Sequence, residues 1–162
     1  RTSLQASTDS LTGLMNRRTF QSRVRTLRRN GVPFALVMAD LDHFKRLNDT
    51  HGHEMGDRAL TTFCNVAESV LRQGDLMARW GGEEFALLLP GTTLEQSKVV
   101  AERMRAGIEA LVVIHQGAEL RCTASVGLTE MLPADTLDQM IMRADQALYT
   151  SKMAGRNCVH SV

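Results

Sequence analysis

A chain of 162 residues can bury one sizeable core, and 43% hydrophobic with 23% charged residues is the composition of a soluble globular domain. The net charge of +1 supplies no global field for nucleic acid or an anionic membrane, so neither DNA or RNA nor direct membrane contact is expected. No apolar run reaches the length of a membrane span, and no signal-peptide pattern opens the chain.

The chain opens on Arg1, and we read it as a fragment of a longer protein. Residues 1–8 read as the end of a preceding linker and 9–162 as one domain. Asp9-Ser10-Leu11-Thr12-Gly13 is a turn leading into a helix that carries Phe20, Val24 and Leu27 on one face and arginines elsewhere. Asn30-Gly31 ends that helix and Pro33 blocks its continuation. Phe34–Ala39 is nearly all apolar, which marks a strand buried on both faces at the centre of a sheet. It ends in Asp40-Leu41-Asp42, and strand alternation points both acids to one side. Acids are costly beside a core unless paired or bound to a cation.

A short helix over 43–49 follows, its N-terminal N–H groups free to cradle phosphate. A turn over 50–57 then leads into a longer helix with Leu60, Phe63, Cys64, Ala67, Val70 and Leu71 inside. Residues 76–89 read as a β-hairpin whose tip is Gly81-Gly82-Glu83-Glu84. The paired glycines permit positive φ and leave the tip bare for a ligand. After Pro90-Gly91, Thr92 with Glu95 or Thr93 with Gln96 caps a helix that buries Leu94, Val100 or Ala101, Met104, Ile108 and Leu111. Residues 120–130 read as a strand. Thr136 with Gln139 caps the last helix, Gly155 ends it, and residues 158–160 form an edge strand. The expected fold is α/β (α+β), with a mixed sheet, helices on its faces and an active-site β-hairpin.

Asp40 and Glu83 are the candidate metal ligands. If the hairpin lies beside the central strand, their carboxylates meet at one sheet edge, and a few oxygen donors suit Mg²⁺. His51 and His53 have no third soft ligand nearby, which argues against metal binding there. Cys64, Cys122 and Cys158 are far apart, show neither metal spacing nor a disulfide framework, and point to a reducing cytosolic setting. Lys45 follows the acid closely. Lys152 and Arg156 bracket the end of the last helix, where they complement the helix dipole or hold phosphate. Asn48 and Asp57 carry the donor and acceptor pattern that reads a purine edge.

These segments together resemble the GGDEF-domain family, the diguanylate cyclases. Gly81-Gly82-Glu83-Glu84-Phe85 looks like the family signature. Asp9-x-Leu11-Thr12-Gly13-Leu14-x-Asn16-Arg17-Arg18 resembles its opening motif. Asp40-x-Asp42-x-Phe44-Lys45-x-x-Asn48-Asp49 and Gly52-His53-x-x-Gly56-Asp57 resemble its nucleotide-site segments, and Ala147-Leu148-Tyr149-x-x-Lys152-x-x-Gly155-Arg156-Asn157 its closing motif. The resemblance implies a fold of the adenylyl-cyclase and polymerase-palm type with a central, largely antiparallel sheet. It implies condensation of two GTP to cyclic di-GMP and two pyrophosphates across a homodimer. It implies Mg²⁺ (or Mn²⁺) held by Asp40, Glu83 and the Leu41 carbonyl, with Glu83 as general base. Lys45 would stabilise the transition state, and Glu84 would support the site. His43 and Phe44 through their backbone, with Lys45, Lys152 and Arg156, would hold phosphates. Gly81 and Gly82 would admit the substrate, Asn48 and Asp57 would bind guanine, and His53 would lie near it.

Arg72-x-x-Asp75, with Arg103 as a further candidate, resembles the family's product-inhibition site; the alternative is a surface ion pair. Met15 stands where the family often has Pro and His51 where it often has an aromatic residue, and neither removes a ligand. The expected protein is an active, cytoplasmic cyclase, the output part of a larger, perhaps membrane-bound, sensor. The alternatives are a catalytically silent GTP or cyclic di-GMP sensor, a cyclase making cyclic GMP, and a structural interaction domain.

Overall fold

The computed structural model describes residues 7–162. A six-stranded sheet is built from β1 (Met15–Asn16), β2 (Phe34–Leu41), β3 (Leu76–Gly81), β4 (Glu84–Pro90), β7 (Ala124–Glu130) and β8 (Val159–Ser161), in the order β1-β3-β4-β2-β7-β8. The pairs among β3, β4, β2 and β7 are antiparallel, and the two edges pair parallel. The expected mixed, largely antiparallel sheet is therefore present. β2 is buried along its whole length, because neighbours flank it on both edges and helices cover both faces.

Alternation along β2 divides the interior. Ala35, Val37, Ala39 and Leu41 join the core beneath α3 (His53–Ser69) and α4 (Leu94–Ala110). Phe34, Leu36 and Met38 join the core beneath α1 (Arg17–Arg29) and α5 (Leu137–Met153). On β7, Ser125 and Thr129 are buried on the α5 side, so its small and polar set is covered as well. Gly127 explains how α5 lies so close: a Cβ there would stand 2.0 Å from the Leu148 nitrogen and 2.6 Å from the Ala144 oxygen. Ser151, also buried, donates from Oγ to the Val126 carbonyl at 2.7 Å and binds the helix end to the same strand.

Local signals set most element ends. Asn16 caps α1 by accepting from the Thr19 N–H at 2.9 Å. Of the two candidate capping boxes before α4, Thr93 with Gln96 forms, and Ala101, not Val100, takes the fully buried position. Thr136 and Gln139 make the same reciprocal bonds at α5.

The structure also differs from expectation. The stretch 50–57 is not a turn: α2 (Phe44–His51) and α3 meet with only Gly52 between them, at φ 88°. A single positive φ breaks the helix between them, and glycine adopts it without a Cβ clash. The strand expected over 120–130 begins at Ala124, and a separate hairpin of β5 (Val113–His115) and β6 (Ala118–Leu120) precedes it. Residues 1–6 of the expected linker lie outside the described residues. Thr8 already bridges to Met15, and Ser7 accepts from the Asn16 N–H at 3.0 Å.

Candidate active site

The β3–β4 hairpin lies beside β2, with Asp40 opposite Glu84, and the Leu41 N–H donates to the Glu83 carbonyl at 3.2 Å. The bond fixes Glu83 next to the end of the acidic strand. Neither Gly81 nor Gly82 takes a positive φ, contrary to expectation. They leave space: a Cβ on Gly82 would touch nothing within 4 Å, and one on Gly81 would meet only Glu84 Oε1 at 4.0 Å. The tip is held from below by Arg79, whose Nε and Nη2 donate to the Gly82 carbonyl at 3.1 and 2.9 Å. Nη1 of the same guanidinium pairs with Asp9 at 3.2 Å, and Asp9 accepts in turn from Thr12. Trp80 packs edge-on against Phe20, with Arg17 4.2 Å above its ring.

Asp40 emerges on the α5 side of β2 and is 8% exposed. Lys152, in the last turn of α5, donates to its Oδ2. Its Oδ1 is buried without a hydrogen-bond partner. Burial pushes the Asp40 carboxyl above the usual carboxylate range, and the bond from Lys152 offsets this only in part. Burial raises the Glu84 carboxyl too, with Asp40 adding repulsion, and burial raises Asp145 on the neighbouring turn of α5. A buried carboxylate oxygen with no partner is costly, and a cation satisfies it. Asp40, Glu83 and the Leu41 carbonyl would supply a small, all-oxygen donor set of the kind that suits a hard divalent ion retaining water and substrate ligands. Among the described residues no group of three or more His, Cys, Asp and Glu side chains is gathered at metal-binding distance.

Asp42 does not share in this. Past the strand end its carboxylate accepts from Thr123 Oγ1 at 2.7 Å, Ser125 Oγ at 2.6 Å and the Asn157 N–H at 3.1 Å. As alternation predicts, it stays on the side of Asp40 and Ser125, where it is a fully bonded structural acid. His43, at φ 57°, precedes α2 without a side-chain cap, leaving the N–H groups of the first turn uncapped by a side chain. Lys45 itself is exposed. Asn48 on α2 faces α3, where a Cβ on Gly56 would fall 1.5 Å from its Oδ1. That oxygen is buried and unpartnered. His53, which begins α3, and Asp57, one turn further along it, are both exposed. Arg156 follows α5 in the left-handed region with φ 66°, as does Asn157 with φ 49°.

The other predicted site takes a plainer form. Arg72 Nε pairs with Asp75 at 3.3 Å, and Nη2 donates to Pro90 O and Thr92 Oγ1, both at 2.6 Å. Asp75 closes the loop by accepting from the Arg72 N–H at 3.0 Å. Arg103 stands exposed on α4.

A profile of the diguanylate cyclase GGDEF domain matches residues 6–158. The chain belongs to the GGDEF domain family of diguanylate cyclases. As a GGDEF domain it is 43% identical over 157 residues to diguanylate cyclase DgcP of Pseudomonas aeruginosa, covering 94% of this chain and 23% of that protein. Among solved structures it is similar to diguanylate cyclase SiaD of Pseudomonas aeruginosa, crystallised with its activator SiaC. The TM-score is 0.93 at 43% identity, over 97% of this chain and 62% of that one. It is also similar to the GGDEF domain of DgcB from Caulobacter crescentus in complex with c-di-GMP. There the TM-score is 0.91 at 33% identity, over 98% and 94% of the two chains. The chain spans between about a quarter and a half of the length of the first curated relatives it matches. Among the described residues no helix is long and apolar enough to cross a membrane.

Sequence reasoning passed over Arg79, Asp145 and Asn157. Asn157 was quoted within the closing motif, but nothing local shows that its bonds reach α4 and the turn after β2.

Proposed function

We propose that this GGDEF domain is an active diguanylate cyclase that condenses two GTP into cyclic di-GMP, each copy of a homodimer holding one GTP. The observation that carries the reading is the buried, unpartnered Asp40 Oδ1 beside Glu83 and Lys152. In each of two steps the 3′-oxygen of one nucleotide bonds to the α-phosphorus of the other. The bond from that phosphorus to the bridging oxygen breaks and pyrophosphate leaves. Glu83 takes the 3′-hydroxyl proton. The N–H groups at the start of α2, with Lys45, Lys152 and Arg156, hold the phosphates and offset the charge that grows on them. Asn48 and Asp57 read the guanine edge, and Glu84 keeps the site acidic. A bound Mg²⁺ or Mn²⁺, held by Asp40, Glu83 and the Leu41 carbonyl, would acidify the hydroxyl and neutralise phosphate charge. A two-fold symmetric product calls for two sites face to face, hence a C2 pair. Arg72, Asp75 and Arg103 form the product-inhibition site, where cyclic di-GMP competes with the Arg72–Asp75 pair. The GTP requirement and the free thiols suit the cytoplasm.

The test is incubation of the purified chain with GTP and Mg²⁺, with the product identified by mass. Cyclic di-GMP should form with a specific activity that rises with protein concentration, and Asp40→Asn or Glu83→Ala should reduce it about 100-fold or more. Binding of GTP without product at high protein concentration would replace the reading by a silent sensor, and cyclic GMP by a different cyclase. Arg72→Ala should be less sensitive to added product; equal sensitivity removes the inhibitory site.

A further inference from the structure

We propose that Asn157 is a positioning residue that aims Arg156, locked in place by Arg105 and Glu109 of α4. The inference rests on reading Arg156 as a phosphate contact of the GTP site. Gly155, Arg156 and Asn157 take φ of 113°, 66° and 49°, so the chain leaves α5 through consecutive left-handed residues. Such a run has no helical or strand ladder to hold it. Among the described residues the Arg156 guanidinium makes no hydrogen bond or ion pair, so only its backbone fixes where the side chain starts and which way it leaves the chain. That backbone is anchored on one side by the Arg156 N–H donating to Ser151 O at 3.0 Å.

On the other side the anchor is Asn157. Its N–H donates to Asp42 Oδ2 at 3.1 Å. Its side-chain Oδ1 accepts from Arg105 Nη1 at 2.7 Å, and its Nδ2 donates to Glu109 Oε2 at 2.6 Å. Arg105 and Glu109 lie one turn apart on α4 and pair with each other at 3.2 Å. The amide thus sits in a fork that offers one donor and one acceptor. Aspartate at this position would meet Glu109 with like charge, and an apolar residue would leave both fork groups unfilled. The Asp42 carboxylate is itself fixed by Thr123 and Ser125, two residues past the metal acid Asp40. Asn157 therefore fastens the phosphate turn to α4 and to the strand end that bears Asp40. Holding Arg156 in place before the substrate arrives removes an ordering cost from binding.

The test measures affinity for an α,β-methylene analogue of GTP, which cannot release pyrophosphate, alongside KM and kcat for GTP. Asn157→Gly keeps the left-handed backbone accessible and removes the amide. It should weaken analogue binding and raise KM about tenfold with kcat within about twofold, and the melting midpoint should stay close to that of the parent. Arg156→Ala should weaken analogue binding at least as much and also lower kcat, and the double variant should bind no more weakly than Arg156→Ala alone. Glu109→Leu and Arg105→Leu, which empty the fork without touching the turn, should reproduce the loss, and Glu109→Gln, which keeps an acceptor, should retain parent affinity. Additive losses in the double variant, or parent-like affinity in Asn157→Gly, would overturn the proposal. A parent that binds the analogue but forms no cyclic di-GMP overturns the cyclase reading alone, and the affinities still decide the role of Asn157. A parent that does not bind it overturns both.

Discussion

Gly127→Ala is expected to unseat α5 and disable the domain at once. The added Cβ would stand 2.0 Å from the Leu148 nitrogen and 2.6 Å from both Ala144 O and Ala147 C. Carbon and its neighbours settle near 3.5–4 Å, so α5 must withdraw from β7 by roughly 1–1.5 Å. The obstructing atoms are backbone, and no side-chain rotation relieves them. Overpacking in a rigid core costs about 1–3 kcal/mol, and this case belongs at the upper end. For a chain of this size about 3 kcal/mol lowers the melting midpoint by roughly 6–12 °C. The same withdrawal carries Lys152, which follows Leu148 by one helical turn, away from Asp40. A misplacement near 1 Å at a reacting centre is worth about 100-fold in rate. The assay pairs a thermal melt with cyclic di-GMP formation well below both midpoints. A variant that melts within about 2 °C of the parent and keeps full turnover would refute the close approach of α5 to β7.

Gly56→Ala should displace the Asn48 amide, because its Cβ would lie 1.5 Å from Oδ1; KM for GTP should rise and the preference for GTP over ATP should shrink, and an unchanged preference would remove Asn48 from base recognition. Asp135 is held below the usual carboxylate range chiefly by its bonds to Arg143. A lowered carboxyl stabilises the fold above its unfolded value near 3.8 and loses that contribution as pH falls through the lower folded value. Asp135→Asn should therefore cost about 1–3 kcal/mol at neutral pH, by urea unfolding, and progressively less in acid; a cost independent of pH would contradict the pairing. Asp40, Glu84 and Asp145 are raised by burial, so their contribution is favourable below their ordinary values of 3.8 and 4.5 and is lost as pH rises through the raised ones. Mg²⁺ should then raise the melting midpoint more at about pH 8 than at about pH 5, and an equal gain at both would show that Mg²⁺ binds elsewhere.

The sheet was legible because its central strand is apolar throughout and ends in acids, a pattern that only a doubly covered strand tolerates. The pairing of Asp40 with the hairpin followed from motif order. Asp42 keeps the side that alternation gave it, but its partners Thr123, Ser125 and Asn157 lie far along the chain and left no local signal. The 50–57 stretch looked like a loop because its glycines and histidines have weak helix preference, yet one glycine sufficed to join two helices. The β5–β6 hairpin is too short to show a period. The paired glycines leave open space at the tip and take no positive φ. The fork around Asn157 depends on contacts between residues more than forty positions apart, which no local pattern carries.

Lys152 resting on Asp40 means that the site carries its own counter-ion on a tether. On the proposed reading, a cation held by Asp40 and Glu83 would displace an ammonium group and would not enter an empty cage. The lysine released in this exchange is attached to the helix end that leads to Arg156, where nucleotide phosphate is to be held. Loading of metal and capture of phosphate then draw on the same side chain and favour one another, so a GTP–metal complex should be taken up more readily than either part alone.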